Sequence, residues 1–245
     1  MSTATAKQKL LQRLGQPLRK ELGTAEPETR SVLDQVIYAM CREGVNRAAA
    51  DAAYERLRAV FFDWNEVRVS TAREIADAII DLPDSFIRAE RMIKFLQDVF
   101  EANYSYDLES LAKKGLKPAE KLVERYSGNN RFVTAFVTQN ALGGHAMPVD
   151  AAILRLVRRL EVAEAKDLPE TVQTSLEHLI PKTKGPAIYE MLSALAHDFC
   201  HEEGPRCKAC PLNDQCPSAG KIGPAKRKVA TASTVKAAPR QSKAR

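Results

Sequence analysis

The sequence is poor in the materials of membrane spans, β-sheets and disulfide scaffolds. It has no run of about eighteen apolar residues, which excludes a helix of the length a bilayer needs. Glycine is sparse, 11 in 245 residues, while Ala, Leu, Glu, Lys and Arg are common. Few turn formers among many helix formers favour helices. No stretch alternates convincingly between apolar and polar with period two, so half-buried strands are not expected. The opening residues MSTATAKQKLLQRLGQ lack the apolar segment of a secretory signal. A cytoplasmic protein is therefore expected, and disulfides are not.

What is present reads as a succession of amphipathic helices. A short one is expected over 6–14, then a Pro-, Gly- and Glu-containing linker from Gly15 to Glu28. Val32, Leu33, Val36, Ile37 and Met40 recur at helical spacing behind Ser31, a suitable N-cap. Further helices are expected from Asn46, from Ser70 or Thr71, and from Pro83-Asp84, the last with a wide apolar face running to Phe100. KPAEKLVERY and RFVTAFVTQNAL are two helices facing each other across SGNN. Asp150 opens the next, and Pro169 stands in the first turn of another, where its missing N–H costs nothing. The fold class is all-α, with about ten helices.

Four of the five cysteines fall between Cys200 and Cys216, spaced C-x6-C-x2-C-x5-C at Cys200, Cys207, Cys210 and Cys216. Four thiols so close in sequence suit a metal. Structural zinc usually takes two short knuckles, and only one is present. A compact loop wrapping a larger iron–sulfur cube fits the spacing better, with zinc as the alternative. The fifth cysteine, Cys41, reads as a small buried hydrophobe.

The formal net charge of +6 is not spread evenly. Residues 217–245 hold eight Lys or Arg and no acid, so residues 1–216 carry the other 29 bases against all 31 acids, a net of −2. A basic tail of this kind attracts nucleic acid through counterion release. It is also what an unstructured, merely solubilising terminus looks like. Lys226, Arg227 and Lys228 are its densest run.

The cysteine spacing, with Pro205-Arg206 before the second Cys and Pro211 and Pro217 after the third and fourth, resembles the iron–sulfur loop of the endonuclease III and adenine-glycosylase group. That group belongs to the helix-hairpin-helix (HhH-GPD) DNA glycosylase superfamily. The resemblance covers roughly residues 29–216. It implies a [4Fe-4S] cluster on the four cysteines and double-stranded DNA as partner. It implies two helical subdomains with DNA in the groove between them: a six-helix block over 23–143, and a cluster domain of 1–22 with 144–216. The tail over 217–245 is then an unstructured basic extension. A monomer is expected, near the nucleoid if the source is bacterial.

The family's hairpin, usually L-P-G-V-G, falls on Tyr126-Ser127-Gly128-Asn129-Asn130. Gly128 takes the first glycine's place. Asn130 takes the second's, where a left-handed backbone is expected and Asn is the next best residue. Counting on from Gly128, the lysine nucleophile of the strand-cleaving members falls on Phe132, which has no lone pair to attack a sugar. The family's aspartate falls on Asp150 in MPVDAAILRL, where it would stabilise charge on the sugar or help activate water. It is equally a good N-cap. The Thr-His that usually follows is Ala151-Ala152. Upstream, Met40 falls near the residue that probes the base stack and could wedge between bases, or belong to the core. His145 and His197 read as ordinary polar residues. The implied activity is base-excision repair by a monofunctional DNA glycosylase, with Asp150 catalytic. The alternative is a catalytically inactive member that binds damaged DNA without base release.

Overall fold

The structure is a computed structural model that describes residues 7, 9–11, 16–23 and 28–221. It is helical, with no strand among the described residues. No helix among the described residues is long and apolar enough to cross a membrane. The tail residues Lys226, Arg227 and Lys228 lie outside the described residues.

The central element is α2 (Val32–Arg42). Every residue in it except Asp34 is buried, so it is apolar nearly all round and must sit inside other helices. Ser31 caps it, its Oγ accepting from Asp34 N at 3.1 Å. Around it pack α3 (Arg47–Val60), α6 (Ser85–Asn103) and α9 (Arg131–Asn140). The shorter α4 (Trp64–Val69) and α5 (Ala72–Ala78) lie against α6. Helix α5 starts at a reciprocal capping box between Thr71 and Glu74. Helices α7 (Ser110–Lys113) and α8 (Leu116–Arg125) lead to the turn before α9.

The second layer holds α10 (Ala151–Arg159), α11 (Pro169–Leu179) and α12 (Gly185–Ala194), which runs on into a π turn, Leu195–Phe199. The stretch expected as linker contains a helix, α1 (Gln16–Leu22). Composition misled here: Leu18 is buried and α1 packs on α12, so tertiary burial outweighs a Pro tolerated in a first helical turn.

The layers are joined by a charge. The Arg42 guanidinium is 1% exposed. It donates to Val45 O, to Ser193 Oγ at 2.7 Å and to Glu190 Oε2 at 3.4 Å, the last two on α12.

Candidate active site

The turn between α8 and α9 is built on Gly128, whose φ of +79° lies in the left-handed region that glycine tolerates without steric cost. Space demands glycine as well: a Cβ would stand 2.3 Å from the Arg91 carbonyl oxygen. Arg91 Nε donates back to Gly128 O at 2.7 Å, locking the turn to α6. Gly128→Ala is expected to destabilise the protein by roughly 2–5 kcal/mol, from the left-handed backbone and the forced contact together. Urea unfolding checks it through the transition midpoint.

Asn129 Nδ2 donates to Val123 O at 2.6 Å, and Ser127 N donates to Asp98 Oδ2 at 2.6 Å. Asn130 corrects the sequence reading. Its φ of −144° and ψ of 180° are extended, not left-handed. It serves instead as the N-cap of α9, its Oδ1 accepting from Val133 N at 3.0 Å. Its Nδ2 donates to Glu43 Oε1 at 2.8 Å.

Glu43, just past α2, is a junction that sequence reasoning missed. Its carboxylate pairs with Arg91 at 2.8 Å, and its carbonyl accepts from Arg88 Nη2 at 2.6 Å. No motif marks it, because its partners come from α6 and from the turn before α9. Of the two readings open for Met40, the structure selects the core: it is 0% exposed on the enclosed face of α2, which corrects its placement at the DNA.

Asp150 caps α10, its Oδ1 accepting from Ile153 N at 2.8 Å. Its Oδ2 accepts from Gly44 N at 3.2 Å and from His197 Nε2 at 3.0 Å. Burial pushes this carboxyl's pKa up. The His197 hydrogen bond and charge, with the Ile153 and Gly44 amides, outweigh burial and hold it below its ordinary value. His197 is thus more than the ordinary polar residue expected from the sequence. It lies 47 residues downstream, in the π turn, and no sequence pattern relates it to Asp150. Ala151 and Ala152 offer the carboxylate no polar side chain; the histidine from the other element does. His145 is elsewhere, bonded to Glu177 O at 2.8 Å.

Asp150 opens onto a cavity of about 630 Å³ between the layers. Pro83, Ile87, Phe132, Val149 and Leu154 give it apolar walls, and Glu43, Arg91, Asn130 and Arg131 a polar rim. Phe132 is only 4% exposed and stacks on Phe136 at 5.9 Å between ring centroids. Among the described residues that line this cavity none is lysine. Lys117 and Lys121 stand exposed on α8, away from it.

Cys200, Cys207, Cys210 and Cys216 line one pocket with Leu156, Phe199 and Leu212. None is in a disulfide. Burial raises the pKa of Cys210, helped by the charges of the other three. Among the described residues no group of three or more His, Cys, Asp or Glu side chains is gathered tightly enough to hold a metal ion. Arg159 Nη1 lies 3.3 Å from Cys200 Sγ, a cation and N–H donor beside a thiol-rich pocket. Cys41 is fully buried, and burial pushes its thiol up to about 12.

No family model matches the chain. It is 26% identical over 171 residues to the DNA glycosylase/AP lyase ROS1 of Arabidopsis thaliana, a match covering 63% of this chain and 12% of that protein. Endonuclease III of Bacillus subtilis is 29% identical over 89 residues, covering 36% of this chain and 41% of its own. Among solved structures, a non-covalent endonuclease III–DNA complex superposes with a TM-score of 0.70 at 18% identity, covering 90% of this chain and 98% of that one. The helices thus adopt the fold of the endonuclease III-like helix-hairpin-helix (HhH-GPD) DNA glycosylases, the superfamily in which its sequence matches also fall.

Proposed function

We propose that this protein is a base-excision-repair DNA glycosylase of the monofunctional kind, cleaving the N-glycosidic bond of a damaged or mispaired base without strand scission. The observation that supports it best is the Asp150 carboxylate, buried and favoured in its ionised form at the wall of a cavity with apolar walls and a polar rim, lined by no lysine among the described residues. Such a cavity suits a base flipped out of the duplex. As the base departs with the bonding electrons, positive charge grows on the sugar. The fixed carboxylate stabilises that charge and accepts a hydrogen bond from the attacking water. Water bonds to the sugar C1′ and gives up a proton, which the departed base takes, so the products are a neutral free base and an abasic site. Phe132 stands where an attacking amine would be needed, so no Schiff base forms through that position.

On this reading residues 23–143 form the block bearing the hairpin, and 1–22 with 144–216 the cluster domain. Gly128, Asn129 and Asn130 lie at the double-stranded DNA, and the protein works as a monomer. Cys200, Cys207, Cys210 and Cys216 would hold a [4Fe-4S] cluster: four thiols on one apolar pocket with Arg159 as a compensating cation suit a thiolate-bound cluster. Its role here is to staple the loop.

A second reading is a non-catalytic reader of damaged DNA. It is favoured by how many polar groups at the rim are already paired: Arg91 with Glu43, Arg88 with backbone carbonyls, and Arg131 with Glu170 at 3.5 Å.

The test is incubation of the cluster-loaded protein with duplexes carrying oxidised pyrimidine, oxidised guanine opposite adenine, uracil, alkylated base or an abasic site. Products are read with and without hot alkali. Strand breaks only after alkali are expected. Breaks without alkali, trapped by borohydride, would show that another amine replaces Phe132. Tight binding with no base release in any lane would leave the non-catalytic reader.

Lys226, Arg227 and Lys228 belong to the same proposal as non-specific partners of the DNA phosphates. Truncation after Gly220 is expected to flatten the salt dependence of DNA binding by about 0.9 log units per log unit of salt for each phosphate that the tail had neutralised. Filter binding across a salt series measures it, and an unchanged slope removes the tail from the interface.

A further inference from the structure

Asp150 stands at the meeting of three chain segments. A carboxylate has about four lone-pair positions. Three are taken: one on Oδ1 by the Ile153 amide, and two on Oδ2 by the Gly44 amide and the His197 imidazole. With Asp150 ionised, His197 is the donor of the shared hydrogen bond.

The turn that carries His197 is itself held. Cys200 N donates to Leu195 O at 2.9 Å, the i→i+5 pattern of a π turn. Arg155, on the helix that Asp150 caps, donates to Cys200 O at 2.8 Å and to Ala196 O at 3.2 Å. On the other side Asn46 Nδ2 donates to Asp198 Oδ1 at 3.1 Å. Asp150 and His197 are therefore pinned to the same helix, one at its cap and one through Arg155. The His197 side chain is itself largely enclosed, 10% exposed.

We infer that His197 is a positioning residue: it fixes the Asp150 carboxylate from the cysteine-bearing side of the cavity, leaving a single lone pair on Oδ1 free for the reacting sugar or its water. Without His197, Oδ2 keeps only the longer bond to Gly44, and the carboxylate can swing away from the cavity. His197 touches no substrate. The inference deepens the glycosylase reading and rests on Asp150 being its reactive carboxylate.

The test follows the carboxyl titration of Asp150 by carbon NMR in the full-length chain, assigned by the signal absent in Asp150→Asn. Arg42 on α2 and Tyr189 on α12 interact with Asp150 through charge; the other titratable or charged groups nearby are Glu190 beside Arg42, Glu43 next to Gly44, and Asp198 and Arg155 around the turn. All are kept in the variants. In His197→Ala the titration is expected to move to higher pH, because burial then acts with less opposition. In His197→Gln, whose amide can still donate, most of the shift should be recovered. In base release, His197→Ala should lower kcat by roughly 10- to 100-fold with KM for DNA unchanged and the acid limb of the rate moved up. An Asp150 titration identical in wild type and His197→Ala would overturn the inference. So would a His197→Gln variant that folds, by circular dichroism, but titrates like His197→Ala. If wild type releases no base from any duplex the glycosylase reading falls, while the titration still decides the role of His197.

Discussion

Asp150→Asn is expected to reduce base release at least about 10²- to 10³-fold while leaving duplex binding nearly unchanged. That is the loss typical when one preorganised group that stabilises transition-state charge is removed. The substitution is well suited to this fold. Asn is as good an N-cap as Asp, so its Oδ1 can still accept from Ile153 N, as the carboxylate does at 2.8 Å. What changes is the charge, and the amide now faces the Gly44 N–H that the carboxylate accepts. Single-turnover base release and gel-shift affinity, measured on one preparation, separate the two effects. Equal loss of both would mean that Asp150 matters only for holding the groove together.

The same carboxylate has a pH signature whose sign is set by its lowered pKa. Its stabilising contribution is present above its unfolded value, about 3.9, and is lost as pH falls through the lower folded value. The ionised form needed for reaction is therefore fully populated across neutral and mildly acidic pH. Base release should show no loss from Asp150 between about pH 5 and 7.

Arg42→Met is expected to be the most destabilising change away from the cavity, costing about 3–5 kcal/mol. Arg42 is enclosed and donates to Glu190 and Ser193 across the two layers. Methionine fills similar volume but leaves Glu190, itself largely buried, with its charge uncompensated. At roughly 2–4 °C per kcal/mol for a protein of this size, the midpoint of thermal unfolding should fall by roughly 6–20 °C. Arg42→Met with Glu190→Leu should recover much of the loss, because an apolar pair avoids desolvating either charge. Differential scanning calorimetry of the two variants checks both. A double variant as unstable as the single would mean that the pair's neighbours, and not the stranded charge, set the cost.

The sequence alone determined the all-α class, because helical spacing of apolar residues is a local property. It pointed to Ser31 and Asp150 as caps for the same reason and left Ser70 and Thr71 open; in the structure Ser31, Thr71 and Asp150 each bond an amide three residues on. The cysteine spacing and the MPVDAAILRL stretch pointed to the superfamily, since short motifs survive where overall identity does not. Tertiary structure decided what depends on partners far along the chain. Met40 follows the same helical period as its neighbours, and only the packing of α3, α6 and α9 around α2 shows that it faces no solvent. Asn130 has the chemistry for either a left-handed turn or an N-cap, and the packing of Gly128 on Arg91 selects the second. Helix α1 looked like linker until α12 covered it. His197 lies 47 residues from Asp150 with no motif between them. They meet because the π turn after α12 reaches the first turn of α10, a juxtaposition made by packing and written in no local pattern of residues.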